Sequence, residues 1–223
     1  MELQDALRDI RTKCRLAMNG IASTSMRERG LDYKLNFGLL QEQIKRIADE
    51  YEPNKQLAEA LWSEETRELK ILATILYPIN EFTEDIADKW ASEITLQEMR
   101  EQICINLFQK LPIANKIALK WANNNNEETR TTGYWLLVRL FVTKKADNKI
   151  DHSYFNEFIW TDIIANDLFR RNASLSVLKY LVRRSKEEAD SILKRLSIYK
   201  NDPDPIKQEA YNSISFEIDF MHS

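Results

Sequence analysis

The sequence predicts an all-α protein, a curved α-solenoid of stacked helix pairs, and three observations carry that expectation. The first is the stretch from Leu57 to Tyr77, LAEALWSEETRELKILATILY, which reads as a complete helical hairpin. Leu57, Leu61 and Trp62 stripe a short first helix, and Ser63 to Thr66 turns the chain. Leu69, Leu72, Ala73, Ile75 and Leu76 then recur at the three-and-four spacing of a second amphipathic helix. Ser63 is the expected N-cap, and Glu64 and Glu65 fall in the first turn, where the helix dipole favours them. The second observation is that the pattern returns. A looser copy runs from Ile117 to Phe141, and a weaker one from Ile163 to Leu181, where Leu168 and Phe169 precede Arg170-Arg171-Asn172. Recurring helix pairs that cannot bury their faces alone imply stacking. The third is composition: 4 Gly and 5 Pro among 223 residues leave little of the turn chemistry a hairpin-rich β fold requires.

The elements follow in order. A first helix is expected from about Glu2 to Met18, with Leu3, Ala6, Leu7, Ile10 and Cys14 on its apolar side. Asn19-Gly20 breaks it, a short helix runs from Ile21 to Arg29, and Leu35 to Gly38 (LNFG) forms a structured turn. Leu39 to Tyr51 is the next helix, stopped by Pro53. After the hairpin, Pro78 ends the strong helix, and another carries Ile86, Trp90 and Ala91. Thr95 is the expected N-cap of LQEMREQICINLFQKL. Pro112 opens the next helix, and Asn123 to Asn126 turns into the Arg130 helix. Lys144 to Ile150 is a polar connector rather than a domain boundary, because helical periodicity resumes at once. The last helices are expected at about Tyr154 to Ala165, Leu168 to Arg184, Lys186 to Ile198 and Pro205 to Met221. One domain over 1–223 is expected, with N-terminal helices and a turn over 1–52 and repeat helices over 53–223.

Composition narrows the chemistry. The net charge of -3, from 32 Lys plus Arg against 35 Asp plus Glu, argues mildly against nonspecific coating of nucleic acid but allows a local basic face. Cys14 and Cys104 read as two buried thiols of a cytosolic protein. Met1 leads directly into a polar helix, so no secretory signal is expected, and no apolar run reaches membrane-spanning length. The expectation is a soluble, cytoplasmic protein with no membrane association. There is no P-loop, no dinucleotide glycine motif and no paired Cys or His spacing for zinc, so neither a cofactor nor a metal is expected. His152 and His222 read as solvent-exposed bystanders. Trp62, Trp90, Trp121 and Trp135 lie on apolar stripes and read as core.

The LAEALWSEETRELKILATIL hairpin resembles the hallmark hairpin of the DNA alkylation repair family, the AlkD-like DNA glycosylases. The resemblance extends to the MRERGLDYKLNFG turn, the Gln97 to Cys104 helix, the Arg130 helix and the Tyr180 helix. It implies an α-α superhelix of HEAT-like helix pairs, duplex DNA as partner, and excision of cationic N3- or N7-alkylated purines without flipping the base into a pocket. The family's Trp-Asp-x-x-Asp helix is here Gln97-Glu98-Met99-Arg100-Glu101. The carboxylate that stabilises the cationic sugar is thereby placed at Glu101, and the Trp that packs on that sugar is replaced by Gln97. The second aromatic is placed at Tyr180, before Arg183, and the phosphate-contacting Arg at Arg130. A preorganised carboxylate supports a developing oxocarbenium, and an aromatic face adds cation–π attraction of about 0.5–2 kcal/mol. Arg170, Arg171, Lys179, Arg183, Arg184 and Lys186 form either a solvated face or, beside Arg130, a phosphate track. The alternative is a non-catalytic scaffold that binds DNA or a protein partner through its concave face.

Overall fold

The computed structural model describes residues 2–222, and among them every helix or strand assigned is helical, apart from an isolated parallel bridge between Leu35 and Thr66. The chain packs as two compact units, Met1–Leu111 and Pro112–Ser223.

The first unit holds α1 (Leu3–Leu16), α2 (Gly20–Glu28), α3 (Gln41–Ala48), α4 (Lys55–Trp62), α5 (Arg67–Leu76), α6 (Glu84–Ser92) and α7 (Gln97–Asn106). Helix α5 packs on its hairpin partner α4 and on α3 and α7, the stacking that the recurring pattern requires. Leu69, Ile71, Leu72, Ala73 and Leu76 of α5 are all buried. Trp62 stacks on Trp90 at 4.1 Å between ring centroids and 4° between planes, fastening α4 to α6.

The hairpin turn runs from Ser63 to Thr66 as expected, but its capping residue differs. Ser63 closes α4 as its C-cap, its hydroxyl donating to the Ala60 carbonyl at 2.7 Å, so that oxygen does not cap α5. Thr66 precedes α5 instead. Leu96 rather than Thr95 occupies the N-cap of α7, and the helix breaks at Leu107 before a short 3-10 turn at Phe108–Lys110.

The LNFG turn is built around one buried carboxylate. Glu68 accepts the N–H groups of Phe37 (3.0 Å), Gly38 (3.1 Å) and Leu39 (3.2 Å). Arg67 completes the knot, donating Nη1 to Glu68 and to the Leu39 carbonyl, both at 2.9 Å, and Nε and Nη2 to Glu98. Gly38 has φ +76°, and a Cβ there would meet Asn19 O at 2.3 Å and Ser23 N at 2.6 Å. The turn therefore lies directly against the start of α2.

The second unit holds α8 (Ala114–Ala122), α9 (Glu127–Val142), α10 (Glu157–Asp162), α11 (Leu168–Val182), α12 (Lys186–Leu196) and α13 (Pro205–His222). Helices α8 and α9 form a close hairpin because Gly133 has no side chain; a Cβ there would lie 2.3 Å from Ala122 N. Asn126, Asp167 and Ser185 cap α9, α11 and α12, each accepting a first-turn N–H. The helix expected from Tyr154 to Ala165 is shorter, because Asn156 caps α10 by accepting the Phe158 N–H at 2.9 Å. Cys14 and Cys104 are buried free thiols, and Trp62, Trp90 and Trp121 are core residues, while Trp135 is half-buried. No helix of the described residues is long and apolar enough to cross a membrane.

Candidate functional site

The α7 positions form a polar chain along one helix face. Gln97 and Glu101 are one helical turn apart, and Gln97 Nε2 donates to Glu101 Oε1 at 2.9 Å. Arg100 Nη1 in turn donates to Gln97 Oε1 at 2.6 Å. Arg100 is 2% exposed, whereas Gln97 and Glu101 are half-buried. An amide thus occupies the position where an aromatic face was implied, and it holds one oxygen of the Glu101 carboxylate.

Arg130 does not reach solvent. It is 4% exposed, and its guanidinium grips Asp162 through Nε–Oδ2 at 2.7 Å and Nη2–Oδ1 at 3.0 Å. Nη1 donates to the carbonyls of Asn124 and Asn125, and the group lies 4.3 Å from the Phe158 ring centroid. Tyr134 Oη also donates to Asp162 Oδ2 at 3.0 Å, and Arg170 Nε lies 3.2 Å from Oδ1. The resemblance places a phosphate contact here; the side chain is instead committed to an internal ion pair. Asp162 carried no sequence signal alone. One was available in spacing: Arg130 and Asp162 are 32 residues apart, Arg67 and Glu98 are 31, and Thr74 and Asn106, also bonded, are 32. Charged partners one repeat apart tie neighbouring helix pairs together.

The other candidates gather at the end of α11. Tyr180 stacks on Phe141 of α9, with centroids 5.3 Å apart and planes 11° apart, and the Arg183 guanidinium lies 4.8 Å from the Tyr180 centroid. Phe141, Lys144, Ala146, Asn148, Tyr180, Arg183 and Arg184 line an open cleft of about 430 Å³. Arg183 pairs with Glu217 at 2.7 Å, and that carboxylate raises the guanidinium's pKa. Arg184 donates to the carbonyls of Ile150 and Asn148, and Arg171 to that of Ala165 at 2.6 Å. Lys179 is half-buried on the same helix. Tyr180, Arg183 and Arg184 therefore share one cleft, while Arg171 holds the chain entering α11.

His152 is no bystander. Its Nδ1 lies 2.8 Å from Glu188 Oε2, its Nε2 3.1 Å from Ser191 Oγ, and its backbone N–H donates to Glu188 Oε1 at 2.7 Å. Ser191 lies mid-helix, where backbone N–H groups belong to the helix ladder and offer no pair for an oxyanion. The relay clamps the loop before α10 to α12. The side chain of His222 lies outside the described residues. Among the described residues no three His, Cys, Asp or Glu side chains converge on a metal position.

A family model described as DNA alkylation repair enzyme matches residues 21–154. A solved structure, described as "a new family of proteins related to the HEAT-like repeat DNA glycosylases with affinity for branched DNA structures", aligns with a TM-score of 0.63. The alignment covers 99% of this chain and 95% of that one at 17% identity, so the likeness concerns the fold, which is all-α with HEAT-like repeats. No curated protein sequence matches.

Proposed function

We propose, from the premise that this chain belongs to the DNA alkylation repair enzyme family, that it binds DNA by structure and does not excise alkylated purines. The observation that carries this reading is the Gln97–Glu101 bond at 2.9 Å. Excision needs a carboxylate facing the anomeric carbon and a flat wall against the sugar; Gln97 removes the wall and engages the carboxylate. Transition-state stabilisation is sensitive to such displacement, and a misplaced group costs about 100-fold for roughly 1 Å.

DNA binding itself rests on phosphate contacts, for which Lys179 and Arg183 are the proposed cations. Arg130, Arg171 and Arg184 are assigned to the fold, since their guanidinium groups serve internal acceptors. The preference proposed is for branched DNA, the affinity stated for the fold relative.

A second reading has one observation in its favour. The Gln97 bond engages Oε1 of Glu101, and the side chain is half-buried rather than sealed, so its carboxylate can still face a cationic sugar. The two readings part on release of N7-methylguanine and N3-methyladenine from methylated duplex DNA. The expected result is no release above the protein-free blank. Release by wild type that disappears in Glu101→Gln would establish the glycosylase reading instead.

A further inference from the structure

The corner between α1 and α2 presents large apolar side chains to water. Leu16 is 83% exposed, Met18 58% and Ile21 87%, all within six consecutive residues. An apolar group of this kind has a use when a partner covers it. The corner is also rigidly mounted. Asn19 N–H donates to the Phe37 carbonyl at 2.9 Å, Asn19 Oδ1 caps α2 by accepting the Ala22 N–H, and Ser23 Oγ donates to the Asn36 carbonyl at 2.7 Å. The LNFG turn behind it is held by Glu68. Helix α2 has no buried residue of its own, so this mount is what orders it.

Cations lead up to the corner. Arg8, Arg11, Thr12 and Arg15 line a shallow groove of about 240 Å³ on the outer face of α1. Arg8 reaches Asp5 only at 3.7 Å with both side chains largely exposed, a pairing that water screens. Arg11 pairs with Glu64, and Arg15 is exposed. At 1.5 Å per residue, Arg8 and Arg15 are about 10 Å apart along the helix.

We infer that this corner is a wedge for DNA branch points: Leu16, Met18 and Ile21 cover base-pair faces that have lost their stacking neighbour, while Arg8 and Arg15 hold the adjoining phosphates. The inference rests on the DNA-binding reading above. Apolar side chains of these types enter opened base steps elsewhere, and a branch point supplies such a step with its stacking already broken. The flanking arginines match the polyanion, and the rigid mount lets the apolar groups act without being ordered on binding.

The test uses the full chain, a four-way DNA junction and a linear duplex of the same sequence, with 2-aminopurine at the branch. The variants are Leu16→Gln/Met18→Gln/Ile21→Gln and Arg8→Gln/Arg15→Gln, all at exposed positions, with folding checked by circular dichroism. The apolar variant is expected to lose about tenfold or more in junction affinity and to keep duplex affinity within about twofold. 2-Aminopurine should brighten with wild type and not with this variant, and the arginine variant should bind both DNAs more weakly. Unchanged junction affinity and fluorescence in the apolar variant would overturn the wedge while leaving DNA binding intact. Wild type that binds neither DNA would overturn the DNA-binding reading as well. Wild type that floats with phosphatidylserine vesicles, and a triple variant that does not, would overturn the wedge by assigning the corner to a membrane.

Discussion

Arg130 and Asp162 close a two-bond ion pair inside the second unit, at 2.7 and 3.0 Å, with both side chains 4% exposed. Removing one member of a buried pair leaves the other charge without its partner, which typically costs about 3–5 kcal/mol. Arg170 and Tyr134 remain on Asp162, so Arg130→Ala is expected at the lower end of that range, read as a shifted urea midpoint. Per folded molecule, DNA affinity should be unchanged. A stable Arg130→Ala protein with weakened DNA binding would return Arg130 to the phosphate role.

Glu68→Ala should loosen the LNFG turn selectively. Three backbone N–H groups and Arg67 lose one acceptor; Gly38 keeps Asn36 Oδ1 and Arg67 keeps Glu98, so Phe37 and Leu39 are left as the orphans, at about 1–3 kcal/mol each. Amide exchange at Phe37, Gly38 and Leu39 is expected to accelerate more than exchange in α8 and α9. Uniform acceleration throughout the chain would contradict the assignment of Glu68 to this turn.

Much of this architecture was readable in advance. The α4–α5 hairpin, the break at Asn19-Gly20, the structured LNFG turn and the connector after α9 follow from apolar spacing and turn residues, which act locally. Helix starts were less legible, because Ser63 and Thr95 look like caps but their hydroxyls do not serve the following helix. Burial of Arg130 was hidden because its partner lies 32 residues away, and a single helix pattern does not show which face a neighbouring repeat covers. The same holds for His152, whose partners Glu188 and Ser191 lie 36 and 39 residues further along. By contrast, the pairing of Gln97 with Glu101 is an i,i+4 contact and was visible from spacing alone.

Alkaline pH should destabilise the fold partly through Cys14. Burial, with the Glu68 charge second, pushes the thiol from 9.0 up to about 12. The folded state holds this proton more tightly than the unfolded state, so the contribution is complete below about pH 9 and is lost as pH rises towards 12. By about pH 11 the loss amounts to about 3 kcal/mol, at about 1.36 kcal/mol per unit. Urea midpoints measured from about pH 8 to pH 11 should fall more steeply for wild type than for Cys14→Ala. Equal slopes would remove Cys14 from the account.

Lys179 and Arg183 are proposed to touch phosphate rather than bases. Lys179→Gln/Arg183→Gln should weaken duplex and junction binding alike and reduce the salt slope by about one for each phosphate that is no longer neutralised. An unchanged slope would place the DNA elsewhere on the chain.

The most direct measurement is the equilibrium affinity of the wild-type protein for a four-way junction against a linear duplex of the same sequence, at about 0.15 M salt. Tighter binding of the junction, by about tenfold or more, is the expected result for a protein that recognises DNA by structure. Equal affinity for the two, or no binding to either by folded protein, would contradict it.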